Sequence, residues 1–399
     1  MLAMSIGCAP AFAELPPDLV ARQCYTEANA STQGLDLGSL VHIRSERDAQ
    51  KIRAKLTHQI WPGGLPLAEA PASVIQTTEQ NAQFNASGLF SLLTHDLKAE
   101  YRLTIELGFG IRSIVYWWVP VDRKNKLILV HDGHSDDSLG DNGDVAIRGI
   151  LNVANLATVK SLLAEGYDVM WLQMPLYGDN LTASVPESPL SARCRTQCDR
   201  HREIMSGFRH STVSPFKFFL EPVIVAVNYA KASGIFSTVS MMGASGGGWT
   251  TLLAAALDDR IINSAAVAGS VPLFLRDGIC GRPSVGDAEQ GSSPGLLYKR
   301  VSYMDLYVLA AYGAGRQHLQ INNQFDTCCF FGVDYRAYAE KLAEYVRGNH
   351  LGNYQYHLDS GFIGHGYHVD TEPNPANHTL NECVLPVFER RPEPQRNCE

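Results

Sequence analysis

The sequence has no run of about 20 consecutive apolar residues, the length that a membrane-spanning helix needs. It also has no excess of basic residues: 33 Lys and Arg stand against 41 Asp and Glu, and the net charge is -8 at pH 7. This charge does not favour nucleic acid or an anionic membrane as a partner. No internal repeat is present, so a solenoid is excluded.

Cysteine is present, but the C-x-x-C spacing of a zinc site is missing. Cys194 and Cys198 lie among arginines that would repel a cation, so disulfides are the preferred use of the nine cysteines. Residues 1–13 carry no charge and end in Ala11-Phe12-Ala13, which is typical of a signal-peptidase site, although the usual basic start is missing. Cleavage there leaves eight cysteines, an even number suited to an oxidising compartment. We therefore expect a signal peptide and a secreted or periplasmic protein.

Apolar content of 45% and charged content of 19% are those of an ordinary globular chain. From residue 101 onwards, short β-prone runs alternate with helical periods, which predicts an α/β fold. The runs at 101–106 and 114–121 predict an antiparallel start to the sheet. A strand at 127–130, a helix at 145–165 and a strand at 167–173 then form a βαβ unit, so the rest of the sheet is expected to be parallel, doubly wound and covered by helices on both faces.

This pattern divides the chain after residue 13 into two segments, the second of which carries two insertions. Residues 14–98 are mixed in character and are predicted to be an extension that packs on the core. Residues 99–399 form the predicted main domain. Two polar stretches, 178–212 and 272–299, interrupt its alternation and are interpreted as lid-like insertions, because they leave loops at the carboxyl ends of strands, where binding pockets form.

A short β-prone run ends in Gly243-Ala244-Ser245-Gly246-Gly247, and an Ala/Leu-rich helical segment follows directly. This is the G-x-S-x-G pattern between a strand and a helix, the context of a nucleophile elbow, in which a sharp turn exposes the serine hydroxyl. Ser245 is therefore the predicted nucleophile. The alternative is a glycine-rich turn with an idle serine.

A serine nucleophile needs a general base and a group that orients that base. Asp326 follows the predicted strand at 318–321 and is the preferred acid, with Asp334 as the fallback. After the last predicted strand, at 354–357, come His365 and His368. Either can be the base, and we slightly prefer His368 because it lies closer to the closing helix.

The oxyanion of a tetrahedral intermediate needs two N–H donors. The expected donors are the amides of Gly246, directly after the nucleophile, and of His134, in the loop after the 127–130 strand. The acidic and histidine side chains of residues 131–137 in that loop suggest a metal site as the less favoured alternative. We expect no metal, since these side chains cannot all face one ion.

With Ser245, Asp326, a histidine at 365 or 368 and the 131–134 loop, the chain resembles the α/β-hydrolase superfamily over residues 103–390. The resemblance implies acyl-enzyme hydrolysis without a cofactor. Asp132 stands where the family usually has glycine. The expected function is a secreted serine hydrolase that cleaves a small-molecule or polysaccharide-linked carboxylic ester, a phenolic one included. A serine peptidase of the same fold, or a non-catalytic binding protein, remains the alternative.

The adjacent Cys328 and Cys329 come two residues after the predicted acid. They can bond to each other, or each can reach another cysteine and fix the acid loop. We expect the second arrangement.

Overall fold

The computed structural model describes residues 25–26, 34–77, 97–134, 153–180, 200–208, 211–276, 286–291, 297–370 and 376–391. The predicted signal peptide at 1–13 lies outside the described residues. So do Cys8, Cys24, Cys194, Cys198, Cys280 and Cys398, and parts of the extension and of both predicted insertions.

A nine-stranded sheet forms the centre of the described chain, in the order β1-β2-β3-β5-β4-β6-β7-β8-β9. The first two pairs and the β3–β5 pair are antiparallel, and every pair from β5 to β9 is parallel. The strands are Ser73–Thr77 (β1), Leu97–Glu106 (β2), Arg112–Pro120 (β3), Lys126–His131 (β4), Asp168–Leu172 (β5), Thr238–Ala244 (β6), Ile261–Val267 (β7), Gln317–Phe325 (β8) and Asn353–Ile363 (β9).

Helices cover both faces of this sheet. They are Leu37–Leu40 (α1), Glu46–Ile60 (α2), Val153–Ala164 (α3), Arg200–Gly207 (α4), Lys217–Ser233 (α5), Gly246–Leu257 (α6), Leu297–Arg300 (α7), Tyr303–Ala311 (α8), Arg336–Gly348 (α9) and Leu385–Phe388 (α10). A π-helical segment, Thr379–Val384, precedes α10. No helix among the described residues is both long and apolar enough to cross a membrane.

Two apolar cores lie against the sheet because successive strand side chains point to opposite faces. In β4, Leu127 and Leu129 belong to one core, and Ile128 and Val130 belong to the other. The first core includes α2, α5, α6, α8 and α9, and the second includes α3 and the 379–388 segment. The four β4 side chains are fully buried, so this strand reads as a continuous apolar run.

The predicted fold class, a mostly parallel α/β sheet with helices on both faces, is confirmed. Residues of the extension pack on the larger core, where Val41, Ile43 and Leu56 are fully buried. Three strands are longer than the sequence predicts: β2 begins at Leu97, β8 runs to Phe325, and β9 runs to Ile363 instead of ending at His357. Residues 360–363 of β9 are exposed or only partly buried, which is why this part of the sequence lacks the apolar pattern of a core strand.

Candidate active site

Ser245 lies in the turn between β6 and α6, at the carboxyl end of the parallel strands. Its backbone has φ 55° and ψ -126°, which side-chain-bearing residues rarely adopt and which costs about 1–3 kcal/mol. The Ser245 N–H donates to the Val267 carbonyl at 2.9 Å, and the Ser245 carbonyl accepts from the Trp249 N–H at 3.0 Å. Ser245 is half-buried, not covered by the sheet. The turn therefore has the strained geometry that the G-x-S-x-G pattern predicts.

The two glycines after Ser245 lie in tight surroundings, formed by backbone at Gly247 and by side chains at Gly246. A Cβ atom at Gly247 would collide with the carbonyl group of His131. One at Gly246 would collide with Met174 and would stand 2.6 Å from Cε1 of His134. The start of α6 therefore packs directly on the loop that follows β4.

The structure brings Asp326 and His365 together. Asp326 is fully buried at the end of β8, and its Oδ2 lies 2.8 Å from Nδ1 of His365. Its Oδ1 accepts the backbone N–H groups of Cys328 (2.7 Å) and Cys329 (2.9 Å). A carboxylate held in this way fixes an imidazole in the tautomer that leaves Nε2 free to accept a proton.

Nε2 of His365 is buried and has no hydrogen-bond partner in the described structure. The loop that carries His365 lies against the elbow, because a Cβ atom at Gly366 would be 3.6 Å from Cβ of Ala244. Burial lowers the pKa of His365, but the charge and hydrogen bond of Asp326 raise it more, so the net pKa lies above its ordinary value. Smaller contributions to this pKa come from Asp287, which raises it, and from His134, which lowers it.

The sequence preference for His368 does not fit this geometry. Nδ1 of His368 lies 2.9 Å from Oδ2 of Asp359, not from Asp326, and its ring stacks on Phe362 with a centroid distance of 4.9 Å. Asp359 is the counterpart of Asp326, since its Oδ1 accepts the N–H groups of Gly361 (2.9 Å) and Phe362 (3.0 Å). The two histidines, three positions apart, therefore belong to two separate carboxylate pairs.

Asn323 holds the His365 loop and was not foreseen from the sequence. Its side chain is fully buried, and Nδ2 donates to the carbonyls of Gly364 (3.0 Å) and Gly366 (2.9 Å), on either side of His365. A polar residue within a parallel strand is a signal that could have pointed to it, because buried amides need partners.

The loop that carries His134 packs against the elbow at Ser245 and Gly246. Gly133 packs so closely on the elbow that a Cβ there would be 2.9 Å from Cβ of Ser245 and 3.4 Å from the amide nitrogen of Gly246. His134 follows directly. The amides of Gly246 and His134 remain predicted donors, and Asp132 uses its own Oδ1 to accept the Gly133 N–H at 2.9 Å.

The side chain of His134 contacts two residues that the sequence did not place near it. Its Nε2 lies 2.9 Å from Nδ1 of His201 in α4 and 3.3 Å from Oε1 of Glu289, and His201 Nδ1 lies 3.0 Å from Glu289 Oε2. Burial raises the pKa of Glu289, but the two imidazoles lower it more, so its pKa lies well below the ordinary value. Parts of both predicted insertions thus meet the loop after β4 beside the elbow.

Cys328 and Cys329 are placed as a disulfide pair with each other. This arrangement does not fit the expectation that each reaches a different cysteine. The two residues form a tight turn under Asp326, whose Oδ1 accepts both of their N–H groups.

No protein-family model and no curated protein matches the chain. Among solved structures, it is similar to methylesterase BT1017, with a TM-score of 0.50 and 15% identity over 90% of this chain and 68% of that one. It is also similar to an acetyl xylan esterase from Paenibacillus sp. R4, with a TM-score of 0.48 and 15% identity over 89% and 99% of the two chains. An esterase from Pyrococcus furiosus follows, with a TM-score of 0.42 and 13% identity over 69% and 86%.

At this level of identity the likeness shows the fold alone, and that fold is the α/β-hydrolase fold. The chain carries a strained serine turn and a buried carboxylate–histidine pair at the carboxyl edge of its sheet, where the sites of open α/β folds lie.

Proposed function

We propose that the protein is a serine hydrolase that cleaves a carboxylic ester through an acyl-enzyme intermediate. Ser245 is the nucleophile, His365 the general base and Asp326 the group that orients His365. The observation that carries this proposal is the buried pair of Asp326 and His365. Oδ1 of Asp326 accepts two N–H groups, Oδ2 faces Nδ1 of His365, and Nε2 of His365 has no hydrogen bond in the described structure.

In the proposed reaction, Oγ of Ser245 attacks the ester carbonyl carbon while Nε2 of His365 takes its proton. The amides of Gly246 and His134 stabilise the oxyanion, which collapses as the C–O bond to the alcohol breaks and the alcohol takes the proton from His365. Water then repeats the sequence on the acyl-enzyme and releases the acid. No cofactor enters these steps.

The first experiment is labelling with a fluorophosphonate, combined with hydrolysis of p-nitrophenyl acetate. We expect one adduct, on Ser245, and loss of labelling and turnover in Ser245→Ala and His365→Ala. His368→Ala is the matched control, since it removes the same side chain from the neighbouring carboxylate pair and should retain both.

An inactive wild-type protein without an adduct would favour a binding protein, and faster cleavage of a peptide amide than of the ester would favour a peptidase. Once ester cleavage is established, a panel of small-molecule, phenolic and polysaccharide-linked esters identifies the natural substrate class.

A further inference from the structure

The cluster of His134, His201 and Glu289 is built from three separate parts of the chain. Nε2 of His134 lies 2.9 Å from Nδ1 of His201 and 3.3 Å from Oε1 of Glu289, and Nδ1 of His201 lies 3.0 Å from Oε2 of Glu289. His201 and Glu289 are 1% and 0% exposed. A tetrahedral zinc ion with bonds of about 2.0–2.1 Å keeps its ligand atoms about 3.3 Å apart, close to these separations.

Hydrogen bonds alone satisfy the polar groups of this cluster poorly. If both imidazole nitrogens direct an N–H group at Glu289, the two hydrogens also face each other across the 2.9 Å between His134 and His201. If one of these nitrogens lacks hydrogen, only one donor serves the buried carboxylate. Oε1 of Glu289 makes no hydrogen bond in the described structure, although it is fully buried. A cation bound to both imidazole nitrogens and to a carboxylate oxygen would satisfy all three groups at once.

The outer contacts of the cluster also match a metal site. Histidine ligands commonly direct their second ring nitrogen at a carboxylate, which orients the ring. Nδ1 of His134 lies 3.4 Å from Oδ2 of Asp287, two residues before Glu289. Tyr177 packs edge-on against both imidazoles, with centroid distances of 5.3 and 5.1 Å. A carboxylate, that of Asp287, therefore lies behind one of the two histidines, and the ring of Tyr177 lies beside both.

We propose that His134, His201 and Glu289 bind a divalent transition metal ion of the zinc class. Two imidazoles and one carboxylate suit zinc, and three protein ligands leave a fourth position for water or an oxygen of a bound molecule. The dication also balances the negative charge of the buried Glu289 carboxylate, so both imidazoles can be neutral. The ion joins the loop after β4 to α4 and to residues 286–291.

The location gives the ion a positioning role that rests on the proposed function. The ring of His134 packs on Gly246, and the amides of both residues are the proposed oxyanion donors. An ion bound to His134 therefore fixes the loop that carries one donor and packs on the other.

The test is a zinc titration of chelator-treated, dialysed protein, followed by calorimetry and by metal analysis after equilibrium dialysis. We expect about one zinc per chain. Glu289→Gln and His201→Gln should weaken binding by more than the roughly 10–100-fold that loss of an outer partner costs, and Asp287→Asn should fall within that range. His378→Gln is the matched control and should retain wild-type zinc binding. It removes a histidine from the other described cluster with metal-ligand spacing, which is formed by His368, Asp370 and His378.

Absence of zinc binding by the wild-type protein, or wild-type affinity in Glu289→Gln, would overturn the proposal. If the Glu289 variant fails to fold by circular dichroism, Co²⁺ added to the wild-type protein decides: visible bands of tetrahedral cobalt support the site, and the spectrum of hydrated cobalt overturns it. The metal measurements do not depend on turnover. Fluorophosphonate labelling of the zinc-free protein then reports on Ser245 separately, and slower labelling that zinc restores supports the positioning role.

Discussion

Substitution of the two carboxylates Asp326 and Asp359 allows an effect on catalysis to be distinguished from an effect on stability. Each accepts two backbone N–H groups on Oδ1 and faces Nδ1 of a histidine through Oδ2, with distances between 2.7 and 3.0 Å. Asparagine at either position retains an oxygen for the two N–H groups and places an NH₂ group against the histidine. Only at Asp326 does this replacement reach the proposed catalytic base.

The magnitudes follow from these contacts. Loss of the charge-assisted hydrogen bonds should cost about 1.5–3 kcal/mol of unfolding free energy in each variant. In Asp326→Asn the amide forces His365 into the tautomer that carries its hydrogen on Nε2, so that nitrogen cannot accept the serine proton. This change lowers turnover by about 10⁴ where a serine triad operates. Asp359→Asn should retain kcat/KM within about tenfold, or about 1.4 kcal/mol of barrier.

The assay is kcat/KM for p-nitrophenyl acetate, measured together with urea unfolding of the same preparations. Equal losses of activity in the two variants would refute the assignment, because activity would then follow stability. So would an Asp326→Asn protein that is as active as the wild type.

Three further outcomes are expected. Neutral His365 is the active form and its pKa is raised, so kcat/KM should fall as pH drops through a midpoint above 6.5, and this midpoint should move down in Asp326→Asn; a wild-type midpoint below 6.5 would contradict the reasoning. Asn323→Ala should lower kcat by roughly 10–100-fold with little change in KM, because the His365 loop loses both clamping bonds; steady-state kinetics would instead show a KM effect alone if Asn323 only shaped the pocket. Gly247→Ala should abolish fluorophosphonate labelling because its methyl group collides with the backbone carbonyl of His131, whereas Gly348→Ala, where nothing lies within 4 Å, should label normally, and full labelling of both would count against the packing described.

The local sequence predicts a site residue correctly where the position of that residue follows from the strand that precedes it. Ser245 follows β6 in a pattern that only a tight turn can accommodate, and Asp326 follows β8 at the edge where ligands bind. The choice between His365 and His368 could not be made in this way. Both follow β9, and the choice depends on Asp359, which lies inside that strand and was not recognised as a partner.

Residues that meet through long-range packing were missed altogether. His201 and Glu289 lie in the two predicted insertions, where no periodic pattern indicates which side chains turn inward. His134 was predicted for its backbone amide, because the loop position says nothing about where its ring points. Asn323 reads as one more polar residue at a strand end until the carbonyls of Gly364 and Gly366 are placed against it.

The close packing of the elbow glycines also limits which positions of this protein can change in directed evolution. Because a side chain at Gly247 would meet the backbone of His131, a randomised library at this position would consist almost entirely of inactive clones. Variation in the predicted insertions, of which His201 and Glu289 contact His134 beside the elbow, leaves that turn intact. New substrate preferences should therefore arise in the insertions, while the turn stays invariant.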